Sequence, residues 1–254
     1  DARWYTQESW QNRPRLDDAQ WSTNGPPLEV MVDLCNRIHA DAWFCLPTRA
    51  NDEYVLEFAR FVNQRLDAGL RVYIEYSNEI FNNFPQADYA RERGLELGLS
   101  VDPEEAQMRF YTLRSRQVFE IFEGVVAAAR LTRVMTTWCD FPALAETVLA
   151  DAEAVAHTDA LAIAPYWGMI DEAEEATILT WTLTQLLDNL EHTALPNVIA
   201  NVALNRASAQ RRGLPFALHV AQGDAVRGGL PLGQRVAAHA AQFDPCADRS
   251  CDAR

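Results

Sequence analysis

Two glutamates four residues apart, Glu75 and Glu79, lie in the stretch RVYIEYSNEIFN at 71–82. The stretch starts as an apolar run and then breaks into Ser77-Asn78-Glu79. A carboxyl held against apolar walls titrates high and can serve as a general acid near neutral pH. The amide of Asn78 beside it can donate to a substrate hydroxyl. Read as a strand over 71–79, the period of two puts Tyr73, Glu75, Ser77 and Glu79 on one face. Val72, Ile74 and Tyr76 take the other. Glu79 then emerges at the carboxyl end of the strand. Glu75 lies deeper and reads as a structural group, the buried partner of an arginine. A plain loop or helix-start carboxylate is the bland alternative for Glu79.

Aromatic residues close two further apolar runs. Trp138 ends LTRVMTTW, and Tyr166-Trp167 follow ALAIAP. Each is by itself ordinary core or rim packing. At consecutive strand ends they become candidates for stacking on a ligand, with Thr48 after Pro47 facing the same side. The five histidines form no HxH or HExxH spacing, and no Cys pair has zinc-like spacing. No metal and no cofactor is expected. A serine elbow, Gly-x-Ser-x-Gly, is also missing.

These groups need elements to position them. Strand candidates fall at 41–47, 71–77, 131–138 and 160–166, with a further strand at 197–203 or 216–221. Helical patterns fall at 28–40, 103–130, 141–157 and 178–192. Another starts at an Asn51 cap, carries Tyr54, Val55, Phe58, Phe61, Val62 and Leu66 on one face, and ends at Gly69. The segment with Pro85 and Gly98 reads as a loop. Strands alternating with helices indicate βαβ units and a parallel α/β sheet. An open doubly wound sheet and a (β/α)8 barrel both fit, and no GxGxxG supports the dinucleotide-binding version of the former.

Composition narrows the partners. The net charge of −14 argues against a nucleic-acid backbone. No apolar run approaches the ~18 residues of a membrane span. Of five cysteines, Cys35 and Cys45 read as small core residues, and Cys246 and Cys251 could pair in an oxidising compartment. From about residue 207 the composition turns rich in Ala, Arg, Gly and Gln. The expected division is a partial barrel over 1–206 and an atypical segment over 207–254.

Asn78-Glu79 at the end of a mid-chain strand resembles the fourth-strand signature of clan A glycoside hydrolases. The longer strings DEYVLEFARFV, YIEYSNEIFN and DALAIAPYWG resemble a poorly characterised bacterial group of glycosidase-like barrel proteins, over roughly residues 1–170. The resemblance implies an incomplete TIM-type (β/α)8 barrel whose first strand and last strand or strands are missing or degraded. It implies a carbohydrate substrate or ligand, with Glu79 as acid/base and Asn78 on a sugar hydroxyl. Trp4, Trp138, Tyr166 and Trp167 become sugar-contacting candidates. A secreted or periplasmic setting goes with it, although no signal peptide is visible.

Retaining hydrolysis needs a second carboxyl about 5–5.5 Å from the first. After Gly213-Leu214-Pro215 the sequence continues FALHVAQGDA, with Val220 or Gln222 where the resemblance calls for a glutamate and Asp224 out of register. The nucleophile is therefore not identified. A catalytically silent carbohydrate-binding relative is the alternative to an active glycosidase.

Overall fold

A computed structural model describes residues 6–82, 84–166 and 176–218. Trp4, Trp167, Val220, Gln222, Asp224, Cys246 and Cys251 lie outside the described residues.

Among the described residues, five strands form one parallel sheet: β1 (Ala42–Leu46), β2 (Val72–Tyr76), β3 (Leu131–Thr137), β4 (Ala160–Ile163) and β5 (Phe216–Leu218). Their spatial order is their chain order. A doubly wound sheet reverses its strand order at a switch point, and this sheet does not. The last strand candidate resolves in favour of 216–218. The alternative at 197–203 is helical.

Helices fill the crossovers: α1 (Leu28–Ile38) before β1, α2 (Asp52–Arg65) between β1 and β2, then α3 (Pro85–Glu96) and α4 (Pro103–Glu123). Two short helices, α5 (Ala143–Val148) and α6 (Ala152–Ala156), follow β3. After β4 come α7 (Leu183–Asn189) and α8 (Leu195–Arg211), joined by a π-helical turn at Leu190–Ala194. Helix α8 runs through residue 207 without interruption.

Local chemistry accounts for the boundaries. The Asn51 side chain accepts from the Tyr54 backbone N–H at 2.8 Å, with Asp52 and Glu53 in the first turn of α2. That helix ends at Arg65, before Gly69, because Leu66 is already extended. Asp102 caps α4, and Pro103 occupies its first position. The expected single helix over 141–157 is two, because Asp151 turns its carboxylate to the Glu153 and Ala154 N–H groups and starts a new helix. The expected loop with Pro85 is mostly α3, with proline at its first turn. Its apolar stripe is short in large side chains because it packs by close approach. A Cβ on Gly94 would stand 2.1 Å from the Ala106 carbonyl oxygen of α4.

One face of the sheet carries the main core. Ala42, Phe44, Leu46, Val72, Ile74, Tyr76, Leu131, Met135 and Leu161 pack with Val55, Phe58, Val62, Phe119 and Phe122 of the helices. Each fully buried large side chain contributes roughly 1.5–3 kcal/mol before entropy is counted. The expected division of β2 is thus observed for Val72, Ile74 and Tyr76. The amino ends of the strands are tied by charge: Arg133 pairs with Asp159 at 2.7 Å and with Glu123, and Arg130 donates to the Leu66, Asp67 and Leu70 carbonyls.

Candidate functional site at the carboxyl end of the sheet

The carboxyl end of β2 is built differently. The strand stops at Tyr76, and the period of two does not continue to Glu79. Ser77 (φ 62°) and Glu79 (φ 48°) both adopt the left-handed conformation, which non-glycine residues rarely hold. The surroundings impose it. The Ser77 N–H donates to the Leu46 carbonyl, continuing the β1–β2 ladder by one bond. Its hydroxyl lies 2.7 Å from that of Thr48, and the Tyr76 hydroxyl donates to the Thr48 carbonyl at 2.7 Å. Thr48 and Ser77 are both buried, so Thr48 braces the turn and does not face the site.

The rest of the loop is held from behind. Gln86 of α3 donates to the Asn78 carbonyl at 3.2 Å, and Gln107 of α4 donates to the Ile80 carbonyl at 2.7 Å. Both glutamines are buried. Ile80 is buried beneath the loop. Asn78 and Glu79 are therefore half-buried side chains on a fixed backbone.

Across the sheet end, Tyr166, after β4, donates its hydroxyl to Glu79 Oε1. Asn82 donates to Oε2 at 3.0 Å. Both carboxylate oxygens thus have a donor, which fixes the plane of the group. Trp138, after β3, stacks on Phe81 with centroids 6.4 Å apart and planes 11° off parallel. The structure so brings Glu79, Tyr166 and Trp138 to one end of the sheet. Burial raises the Tyr166 hydroxyl above its ordinary range, with Glu79 adding to the effect. It remains a donor at neutral pH.

Glu75 departs from its expected role. It is 2% exposed and bonds to no arginine. Thr136 Oγ1 donates to its Oε1 at 2.9 Å. Trp43 Nε1 donates to Oε2 at 3.0 Å, and Cys45 Sγ lies 3.5 Å from the same oxygen. The reason is positional. Glu75 sits mid-strand on the face away from the main core, where Trp43, Cys45 and Thr136 of the flanking strands are its hydrogen-bond partners. Burial raises its pKa from 4.5 to about 7 against the three donors, with the charge of Glu79 adding to the rise. Cys45 is not a plain core residue either. Burial first and Glu75 second push its thiol well up, and its sulfur lies 3.9 Å from Asn78 Oδ1.

A cavity of about 420 Å³ runs beside β1, lined by Trp43, Cys45 and Asn78 together with Gln7, Asn24 and Met31. It meets the site at Asn78, while Glu79, Tyr166 and Trp138 are not among its lining residues. No group of three or more metal-ligating side chains occurs among the described residues, and no described helix is long and apolar enough to cross a membrane.

Motif and periodicity do not single out Asn82, Phe81, Trp43 or Thr136. Asn82 and Phe81 were within reach, three and two residues beyond Glu79. Trp43 and Thr136 act through the β1–β2–β3 register, which single-strand periodicity does not reveal. Comparison with protein-family models, with curated proteins and with solved structures gave no match.

Proposed function

We propose that this chain is a carbohydrate-active protein related to the retaining glycoside hydrolases, with Glu79 as its acid/base and Asn78 orienting a sugar hydroxyl. The observation that carries this reading is the convergence of three strand ends. A half-buried glutamate is oriented by Tyr166 from the far side, and Trp138 with Phe81 offers an aromatic surface beside it. Aromatic faces suit the C–H faces of pyranose rings, and an oriented carboxyl with an adjacent amide suits a glycosidic oxygen and its neighbouring hydroxyl. The sequential strand order is the order a (β/α)8 barrel requires. In that reading the five strands correspond to the third to seventh of the barrel.

One observation favours the alternative, a catalytically silent carbohydrate-binding protein. Glu75, the carboxyl four residues before Glu79, is buried under three donors. It is not placed to attack a sugar carbon.

Hydrolysis of aryl glycosides and of β-linked gluco- and manno-oligosaccharides decides between them. An active enzyme loses roughly 10²–10⁴-fold of its rate on Glu79→Gln, while oligosaccharide binding stays within a few-fold. Binding without turnover in either protein selects the silent reading. Neither binding nor turnover with any sugar contradicts both.

A further inference from the structure

The cavity of about 420 Å³ beside β1 plays no part in the chemistry assigned to Glu79. Its volume falls in the roughly 300–1,000 Å³ range of small-molecule pockets. Much of its wall is ring surface: Trp43 and Phe44 from β1, Tyr54 and Phe58 from α2. A mere packing gap would leave such side chains loosely held, whereas here a second layer of polar groups fixes them. Trp43 stacks on Tyr73 with centroids 5.5 Å apart and planes 1° off parallel, and its indole N–H donates to Glu75 at 3.0 Å. The Cys45 sulfur lies 3.5 Å from the same carboxyl oxygen. Gln7 accepts from the Tyr54 hydroxyl at 2.9 Å and donates to the Asn24 carbonyl at 2.8 Å. Both Glu75 and Gln7 are buried. A valine or leucine at position 75 would pack as well, but it would leave the Trp43 N–H without this acceptor.

Two donors on the wall remain open. The Arg13 guanidinium is engaged by the Trp10 carbonyl at 3.2 Å and by Glu29 at 3.6 Å, yet its Nε is buried with no hydrogen-bond partner among the described residues. The side-chain amide N–H of Asn78 also has no acceptor among the described residues, while its Oδ1 lies 3.9 Å from the Cys45 sulfur. A buried donor left unpaired is costly, and an acceptor oxygen on a bound molecule relieves the cost. We propose that this cavity binds a neutral aromatic ring carrying an oxygen substituent, a phenol or an aryl ether, with the ring against the aromatic wall and the oxygen toward the open donors.

The wall selects this class against its neighbours. Ring edges and faces suit another aromatic ring. A pyranose brings several hydroxyls, more than two open side-chain donors satisfy, and burying the remainder is unfavourable. A carboxylate is disfavoured because Arg13 already faces Glu29 and is the sole cationic side chain among the lining residues. The cavity meets the site at Asn78, so the ring arrives either free or as the aryl group of a sugar bound at Glu79. Binding of the ring stands apart from the carbohydrate reading, and the sugar-borne source rests on it.

2-Naphthol is the probe, titrated into the full chain by calorimetry and by NMR of the Trp43 indole N–H, with Trp43→Phe as the assignment control. Saturable binding that shifts this resonance is expected. Met31→Trp fills the cavity from α1 and should weaken binding about tenfold or more. Arg13→Lys keeps a cation opposite Glu29, removes the Nε donor, and should weaken it about threefold to tenfold. Thermal unfolding establishes that each variant is folded, and Arg13→Lys carries the test if Met31→Trp is not. No saturable binding, an unmoved Trp43 resonance, or unchanged affinity in the folded variants overturns the proposal. Tighter binding of 2-naphthoate than of 2-naphthol overturns the neutral class. 2-Naphthyl β-glucoside binding about tenfold more tightly than 2-naphthol identifies the sugar-borne ring, and equal or weaker binding identifies the free one, with the cavity upheld in both. Naphthol binding without any oligosaccharide response contradicts the carbohydrate reading alone.

Discussion

Glu75 and Glu79 lie four residues apart and differ in everything that surrounds them. Glu79 is half-buried and oriented by two donors, whereas Glu75 is fully buried under Trp43, Cys45 and Thr136. The consequence for stability is directional. In the unfolded chain Glu75 has an ordinary carboxylate pKa, and in the folded chain it is raised to about 7. Below the unfolded value both states hold the proton and the group is neutral to stability. As pH rises from the unfolded to the folded value, only the unfolded chain releases the proton, so folding loses free energy. The loss reaches about 3 kcal/mol above neutrality. Glu75→Gln should remove this dependence. Urea unfolding across pH is expected to show the variant gaining on the unaltered chain between pH 5 and 8, and a constant difference would contradict the assignment. The two carboxylates are legible from the strand pattern, and their partners are not. Arginine is the expected neighbour of Glu75, and among the described residues its bonds go instead to Trp43, Cys45 and Thr136 of the flanking strands.

At the scale of elements, the turn after β2 is the costly one. Two non-glycine residues held at positive φ cost on the order of 1–3 kcal/mol each. At Ser77 the cost is offset by the bond between its hydroxyl and Thr48. Ser77→Val removes that bond and puts a β-branched side chain at positive φ in a buried site. It should destabilise by about 3 kcal/mol or more, read as a lower denaturation midpoint. Ser77→Gly trades strain relief against the lost bond and should stay within about 1 kcal/mol. The α3–α4 contact is the second sensitive joint. Gly94→Ala drives a methyl into the Ala106 carbonyl and should cost about 2–3 kcal/mol, a cost absent for the same change at Gly69, where the space is open. Strands and major helices were legible because their apolar periods are long. Helix α3 was not, since its buried positions are small: Ala87, Ala90 and Gly94, the last in close approach to α4. The left-handed turn was hidden for a related reason. Neither Ser77 nor Glu79 is a turn-forming glycine, and their conformation is imposed by Thr48, Gln86 and Gln107 from elsewhere in the chain.

Across the whole molecule, the two ends of the sheet are built differently. Its amino ends are tied by Arg130 and Arg133, and its carboxyl ends gather Asn78, Glu79, Trp138 and Tyr166. Alternating strands and helices were enough to expect a parallel α/β sheet, and the sequential strand order then removed the doubly wound arrangement. Which strand ends meet was beyond periodicity, since Tyr166 and Glu79 are 87 residues apart. The central claim is that this end of the sheet takes a sugar. Its most direct test is calorimetric titration of the chain and of Trp138→Ala with β-linked gluco- and manno-oligosaccharides. Saturable binding that weakens about tenfold in the variant, the loss of one stacking surface, is the predicted result. No binding to either protein, or equal binding to both, would contradict it.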